Sequence, residues 1–270
     1  MKVSIQGIRG SFHHMVANHY FDSFELNECS TFESLVKSVV DKDSEYGIMA
    51  IENSIAGSIL PNYALIDEYN LSIIGEYSLS IDHNLMCLPN QKITEIKEVH
   101  SHPMALLQCS KFFSNYPHIK LIESEDTALF AKNIRDNEML GVGAIASLDA
   151  LEIYNLQILE SSIQTIKNNK TRFVILEKNH KNINDYDKAA IKFILDHKRG
   201  SLATVLNIMS DCSLNLTKIQ SLPVVQTPGK YSFFVDITFK SVENYQKAIK
   251  IIELMAQEFK ILGEYKYQRS

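Results

Sequence analysis

The sequence predicts an α/β chain in two parts: a two-lobed portion up to about residue 180, then a smaller β-α-β-β-α-β portion over residues 187–270. Three observations predict this. Strand-like and helix-like segments alternate along the first part, the pattern of largely parallel sheets. The alternation breaks between Leu71 and Leu88, where two strand-like runs follow one another with no helix between them. A polar, Asn-rich stretch, Lys178 to Asp185, separates the two parts and reads as a domain boundary.

Taken in order, Val3 to Gln6 is a short apolar-rich strand, and Ser11 opens a helical stretch through Tyr20. Phe24 to Cys29 reads as a strand. Phe32 to Val40 follows as an amphipathic helix with Phe32, Leu35, Val36 and Val39 on one face. Tyr46 to Ile51 is a buried strand. Leu71 to Ile81 and Asn84 to Leu88 are the adjacent strand-like runs, which would carry the chain into a second lobe of about residues 80–156. Three strand-then-helix units follow, over Val99 to Phe113, Ile119 to Ile134 and Leu140 to Tyr154. The runs Gln157 to Ile163 and Arg172 to Glu177 would bring the chain back. Two lobes joined by crossing strands make a cleft, a usual place for a small ligand. Beyond the linker come a strand (Ala190 to Leu195), a helix (Leu202 to Met209) and a hairpin of Leu214 to Val225 and Tyr231 to Phe239 around Thr227-Pro228-Gly229. A helix (Val242 to Phe259) and a last strand (Ile261 to Tyr265) complete a ferredoxin-like arrangement.

Composition narrows the function. With 45% hydrophobic and 22% charged residues among 270, the chain builds packed cores rather than staying disordered. A net charge of −5 and no long basic stretch argue against nucleic acid as a partner. An anionic ligand must then be held by local positive potential. Cys29, Cys87, Cys109 and Cys212 are scattered without a CxxC pair, as expected of reduced thiols in the cytoplasm. Met1 leads straight into a strand, so no signal peptide is expected, and no apolar run is long enough to span a bilayer.

Candidate chemistry gathers where strands meet helices. Ser11, Ser54, Ser101 and Ser147 each stand at such a joint, and Pro103 suits a first helical turn. Capping alone accounts for any one of these serines. As a set, several helix N-termini around one cleft suit a ligand with more than one carboxylate. Asn168-Asn169-Lys170 marks a turn that presents Thr171 and Arg172 at the start of a strand. Arg172 there could grip a carboxylate in a two-pronged geometry and Thr171 could donate to a hydroxyl; an exposed surface turn is the alternative. Among nine histidines the only close pairs are His13-His14 and His100-x-His102, with no third ligand at motif distance, so no metal is expected. No Walker-type loop and no GxGxxG follows a strand, so no nucleotide cofactor is expected.

Five ordered stretches resemble prephenate dehydratases: Gly7-Ile8-Arg9-Gly10-Ser11-Phe12; Ile51-Glu52-Asn53-Ser54 with Gly57; Ser101-His102-Pro103-Met104-Ala105-Leu106 with Gln108-Cys109; Ala144-Ile145-Ala146-Ser147 leading to Tyr154; and Asn169-Lys170-Thr171-Arg172-Phe173. Together they span about residues 1–177. Residues 188–267 resemble the ACT domain that usually follows in that family. The resemblance implies a catalytic domain of the type 2 periplasmic-binding-protein architecture over residues 1–180, with the active site between its lobes, and an ACT regulatory domain over 187–270. It implies cofactor-free, decarboxylating dehydration of prephenate to phenylpyruvate. Thr171 would be the catalytic donor, and Ser11, Asn53, Ser54, Ser101, Gln108, Thr127, Ser147, Arg172 and Phe173 would bind substrate. Gly200, Ser201, Leu202, Asn215, Gln220, Ser221 and Pro223 would take L-phenylalanine as effector, and self-association to a homodimer or homotetramer is expected. Arogenate dehydratase and a non-catalytic amino-acid sensor are the rival readings; no chorismate mutase segment is expected ahead of the dehydratase region. Departures from the family pattern include Asp126 where Ser is common, and Gln220 and Leu222 where Glu and Arg are usual.

Overall fold

The computed structural model describes residues 1–124, 126–179, 185–224, 227 and 229–268. The first elements are β1 (Lys2–Gln6), α1 (Phe12–Tyr20), β2 (Glu25–Cys29), α2 (Phe32–Val40), β3 (Tyr46–Asn53), β4 (Gly57–Ser58), α3 (Leu60–Glu68), β5 (Ser72–Ser80) and β6 (Asn84–Cys87). They are followed by β7 (Glu98–Ser101), α4 (Pro103–Phe113), β8 (Lys120–Glu123), α5 (Thr127–Asp136), β9 (Val142–Ala146), α6 (Leu148–Ile153), β10 (Gln157–Glu160) and β11 (Lys170–Glu177). The C-terminal elements are β12 (Lys188–Ile194), α7 (Ser201–Asp211), β13 (Asn215–Pro223), β14 (Tyr231–Thr238), α8 (Val242–Met255) and β15 (Glu258–Tyr265).

The chain clusters into two compact units, one of Met1–Ile59 with Tyr77–Phe173, the other of Leu60–Glu76 with Val174–Ser270. The first unit carries two lobes. In one, the sheet order is β2-β1-β3-β11-β5, with β4 on β3, and β1 runs parallel to both neighbours. Val3, Ile5, Ile48 and Phe173 form its core with Val16 and Ala17 of α1. On α2 the expected face is inward: Leu35, Val36 and Val39 are fully buried, each burial contributing about 1.5–3 kcal/mol before entropy is charged against it. Thr31 and Ser34 cap that helix reciprocally. The second lobe has the order β10-β6-β9-β7-β8, with β6 antiparallel to β9 and β10.

Two expectations change here. Gln157 to Ile163 does not carry the chain back: its strand, β10, stays in the second sheet beside β6. The helix α3 forms where the sequence pattern predicts no element; its apolar residues alternate with Pro61, Asn62 and Asp67 too irregularly to make a clear stripe.

In the second unit, β13-β14-β12-β15 form an antiparallel sheet with α7 and α8, the expected β-α-β-β-α-β order. Helix α8 ends at Met255 and β15 begins at Glu258, earlier than the sequence pattern suggests, because Glu258, Phe259 and Lys260 pair with Ile194, Phe193 and Lys192. Sheet pairing overrides the helical propensity of that stretch. The hairpin closes on Pro223 opposite Tyr231; Val225 and Pro228 lie outside the described residues, as do linker residues 180–184. Within this unit Lys188 Nζ meets both oxygens of Glu76 at 2.8 Å, with each side chain 4% exposed. Asp67 accepts from Lys192 at 2.5 Å and Lys260 at 2.9 Å. A Cβ on Gly263 would stand 2.0 Å from the Ile73 carbonyl oxygen, so only glycine allows this approach.

Candidate active site

Thr171 stands at the start of β11, and Asn53 closes the neighbouring β3. Asn53 Oδ1 accepts the backbone N–H groups of Ile55 (3.0 Å) and Ala56 (2.9 Å). Its amide nitrogen therefore points the other way, donating to Thr171 Oγ1 at 2.9 Å and to Asn169 Oδ1 at 2.7 Å. Asn169, 1% exposed, passes the direction on: its Nδ2 donates to Gln108 Oε1 at 2.8 Å. Gln108 is on α4, a helix of the second lobe, so the network ties the lobes together. Ser54 fastens the same turn, its Oγ accepting from the Lys170 N–H at 2.9 Å and lying 3.4 Å from Asn169 Oδ1.

This arrangement leaves two donors uncommitted. Thr171 Oγ1 is an acceptor within the network, and no described group accepts its proton. Gln108 accepts through its oxygen and its amide nitrogen has no protein acceptor among the described residues. A buried hydroxyl and an amide with free hydrogens can both stabilise oxygen atoms that gain charge.

The lobes also meet through the Gly7–Ser11 loop. Ser147 donates to the Gly10 carbonyl at 2.6 Å, and Tyr154 donates to the Arg9 carbonyl at 2.5 Å. Burial and the carboxylates of Glu28, Asp126 and Asp136 push Tyr154 up to about 12, so it remains a donor. Gly10 has φ +88°, and a Cβ there would sit 3.0 Å from the Ala150 Cα. The conformation and the space both call for glycine.

Several expectations about single residues need correction. Ser11 and Ser147 do cap α1 and α6. Ser101 does not cap α4: it is fully buried and donates to the Ile145 carbonyl at 2.8 Å, while His102 is the cap and Pro103 opens the helix. Ser54 is in a turn rather than at a helix start, since α3 begins only at Leu60. Thr127 is nearly buried in the first turn of α5, whose cap is Asp126, accepting from Ala128 (2.7 Å) and Leu129 (2.9 Å). Burial pushes the Asp126 carboxyl above the usual carboxylate range, against the pull of those two N–H groups. Two of the free N–H groups of that helix end are thus already taken by a carboxylate of the chain itself.

Arg172 pairs with Glu52 beside the network. Adjacent strand residues point to opposite faces, so Arg172 and Glu52 share the face away from Thr171 and Asn53, with Arg172 Nε 3.3 Å from Glu52 Oε2. Phe173 is a core residue, 1% exposed and edge-on to His13 at 4.9 Å. Asn169 and His83, whose Nε2 lies 3.1 Å from Gln108 Oε1, join the site although the sequence pattern marks neither as a site residue. The turn signal at Asn168-Asn169-Lys170 pointed to the first by location only. In the second unit, Ser201 and Leu202 line a hollow of about 130 Å³ with Tyr231, whereas Asn215 lies at the other end of β13 from Pro223, beside a different hollow of about 500 Å³. Gly200 precedes α7 with φ +85°, and Gln220 Nε2 donates to the Ser221 carbonyl. Ser221 and Pro223 pair with Phe233 and Tyr231, which line the same hollow as Ser201 and Leu202, so within one chain it is Asn215 that stands apart.

Comparison with known proteins follows the same lines. The prephenate dehydratase family profile matches residues 3–181. A bifunctional chorismate mutase/prephenate dehydratase of Buchnera aphidicola subsp. Acyrthosiphon pisum (strain APS) is 35% identical over 269 residues, covering 97% of this chain and 70% of that protein. The chloroplastic arogenate dehydratase/prephenate dehydratase 1 of Arabidopsis thaliana is 34% identical over 287 residues, covering 98% and 72%. The solved prephenate dehydratase of Arthrobacter aurescens, in complex with L-Phe, shares the fold with a TM-score of 0.87 at 20% identity, covering 100% of this chain and 92% of that one. With a matching profile across the network residues and relatives above 30% identity along nearly the whole length, the chain belongs to the prephenate dehydratase family.

Proposed function

We propose that the chain is a carbon–oxygen lyase that converts prephenate to phenylpyruvate in L-phenylalanine biosynthesis, in the cytoplasm, with catalysis in residues 1–180. The observation that carries the reading is the one-way hydrogen-bond network in which the Thr171 hydroxyl proton has no acceptor among the described residues. In the reaction the ring–carboxylate bond breaks, its electron pair aromatises the ring, and the C4–oxygen bond breaks as CO2 leaves. The departing hydroxide takes a proton and leaves as water. Thr171 donates a hydrogen bond to that oxygen as charge develops, supported from behind by Asn53. A threonine hydroxyl is a weak acid, so solvent supplies the net proton.

Gln108 donates to a second substrate oxygen, and the N-terminus of α1, behind Ser11, favours a substrate carboxylate. We assign Ser54 to holding the Asn169–Lys170 turn, Ser147 to joining the lobes, and Ser101, Thr127, Arg172 and Phe173 to supporting positions beneath the site. A cofactor-free assay for phenylpyruvate tests the reading. Thr171→Ala should lose about 10²–10³ in kcat, the loss typical of one transition-state donor, with Thr171→Ser retaining much of it. A Thr171→Ala variant working at the wild-type rate would remove Thr171 from the mechanism.

The Arabidopsis relative motivates a second substrate, arogenate, and paired kcat/KM values for the two substrates decide between them. We read residues 187–270 as an ACT domain that takes L-phenylalanine at an interface between copies of the chain. The divided placement of Ser201 and Asn215 fits a site completed by a second copy, and the Arthrobacter protein was solved with L-Phe bound. Loss of the usual Glu and Arg at Gln220 and Leu222 removes two charges there and predicts weaker effector binding. Repeating the assay across a phenylalanine titration tests this. Flat activity and no binding heat would leave the domain as an assembly module.

A further inference from the structure

The hydrogen bonds of the candidate site carry a direction that can be followed atom by atom from the backbone. The N–H groups of Ile55 and Ala56 can only donate, so the Asn53 atom they meet is the oxygen. The Asn53 nitrogen then donates to Asn169, which fixes the Asn169 oxygen, and the Asn169 nitrogen in turn fixes the Gln108 oxygen. His83 Nε2 faces that same oxygen at 3.1 Å. A carbonyl oxygen accepts, so Nε2 must carry a proton.

His83 is 4% exposed and wedged in place. Its backbone N–H donates to Gln164 Oε1 at 2.9 Å, its carbonyl accepts from Ile163, and its ring stands edge-on to Phe12 at 6.0 Å. Nδ1 is buried with no partner among the described residues, which suits the unprotonated nitrogen of a neutral ring. Burial lowers the His83 pKa, and nearby His102 does the same. The hydrogen bond to Gln108 and the charge of Asp82 oppose them without reversing the direction.

We propose that His83 is a positioning residue for the dehydratase reaction: as the Nε2–H tautomer it locks the Gln108 amide with its oxygen inward and its NH2 presented to substrate. Two donors converge on one oxygen of Gln108, so a flipped amide would set NH2 against both of them. The lock therefore makes Gln108 a donor only, as an anionic substrate requires. This inference rests on the dehydratase reading for its functional part and on the hydrogen-bond geometry for its structural part.

The test has two arms on the full-length protein. Nitrogen NMR of histidine-labelled protein should show His83 protonated at Nε2 and not at Nδ1; the opposite tautomer overturns the proposal whatever the activity. In the assay, His83→Phe, which keeps ring volume beside Phe12, should lower kcat/KM for prephenate by about tenfold, the scale of one lost hydrogen bond. His83→Gln, which can place an N–H donor near the same point, should recover most of the loss. Combining His83→Phe with Gln108→Ala should cost no more than Gln108→Ala alone. Full additivity would show that His83 acts independently of Gln108 and overturn the proposal. If the wild-type protein releases no phenylpyruvate, the dehydratase reading fails, and the tautomer still judges the lock.

Discussion

His13 accepts the Ala50 N–H through Nε2 at 3.3 Å and packs edge-on to Phe173, and burial lowers its pKa to about 3. It is a core residue, whereas His83 has one nitrogen committed to Gln108 at the site. The His13 shift predicts an acid limb in stability. An unfolded histidine binds a proton near pH 6.5 and the folded one resists it down to about 3, so stability is fully present above about pH 6.5 and falls as pH drops through that window. His13→Gln keeps an acceptor for Ala50 and removes the titration. Its urea midpoint should lie below wild type at pH 7 and lose less between pH 7 and pH 4.5. Equal losses in the two proteins would assign the acid limb to other groups.

At the scale of elements, helix N-termini that look alike in sequence end in different states. Helix α1 is capped by Ser11, a small neutral group that leaves the positive end of the helix able to attract an anion. Helix α5 is closed by the Asp126 carboxylate, which takes two of its free N–H groups. That charge faces the Gly7 loop, 2.9 Å from where a Gly7 Cβ would be, and should repel a dianionic substrate approaching there. Asp126→Ser retains a capping oxygen and deletes the charge. The KM for prephenate should fall about two- to fivefold, as the repulsion is removed and the positive end of α5 is left open to an anion, with little change in melting temperature. An unchanged KM would place α5 outside the electrostatic reach of the substrate.

At the scale of the whole molecule, the second compact unit joins residues far apart in sequence, Leu60–Glu76 and Val174–Ser270. Among its described contacts is the buried pair Lys188–Glu76, where the lysine also stands 4.7 Å from the Tyr267 ring centre and the Tyr265 hydroxyl lies 3.4 Å from Glu76 Oε2. Both charges are out of water, so removing one leaves the other poorly compensated. Lys188→Met should cost about 3–5 kcal/mol in chemical denaturation, and Lys188→Met with Glu76→Leu should recover most of it. A single variant as stable as wild type would mean that Glu76 finds other compensation.

The α/β alternation, the C-terminal β-α-β-β-α-β order, the inward face of α2 and the family are all legible along the chain, because periodicity, turn residues and motif order are local properties. The sequence also singles out Thr171, Asn53 and Gln108, which the fold brings into one network across 118 residues of chain separation between Asn53 and Thr171. Which way each side chain serves depends on the three-dimensional packing. Strand pleat sent Arg172 toward Glu52 and Phe173 into the core, and a backbone carbonyl drew Ser101 away from the helix end. The roles of Asn169 and His83 follow from the direction of hydrogen bonds, which begins at two backbone N–H groups and ends at Gln108. Such direction depends on which atoms face each other in space, and spacing along a chain does not record it.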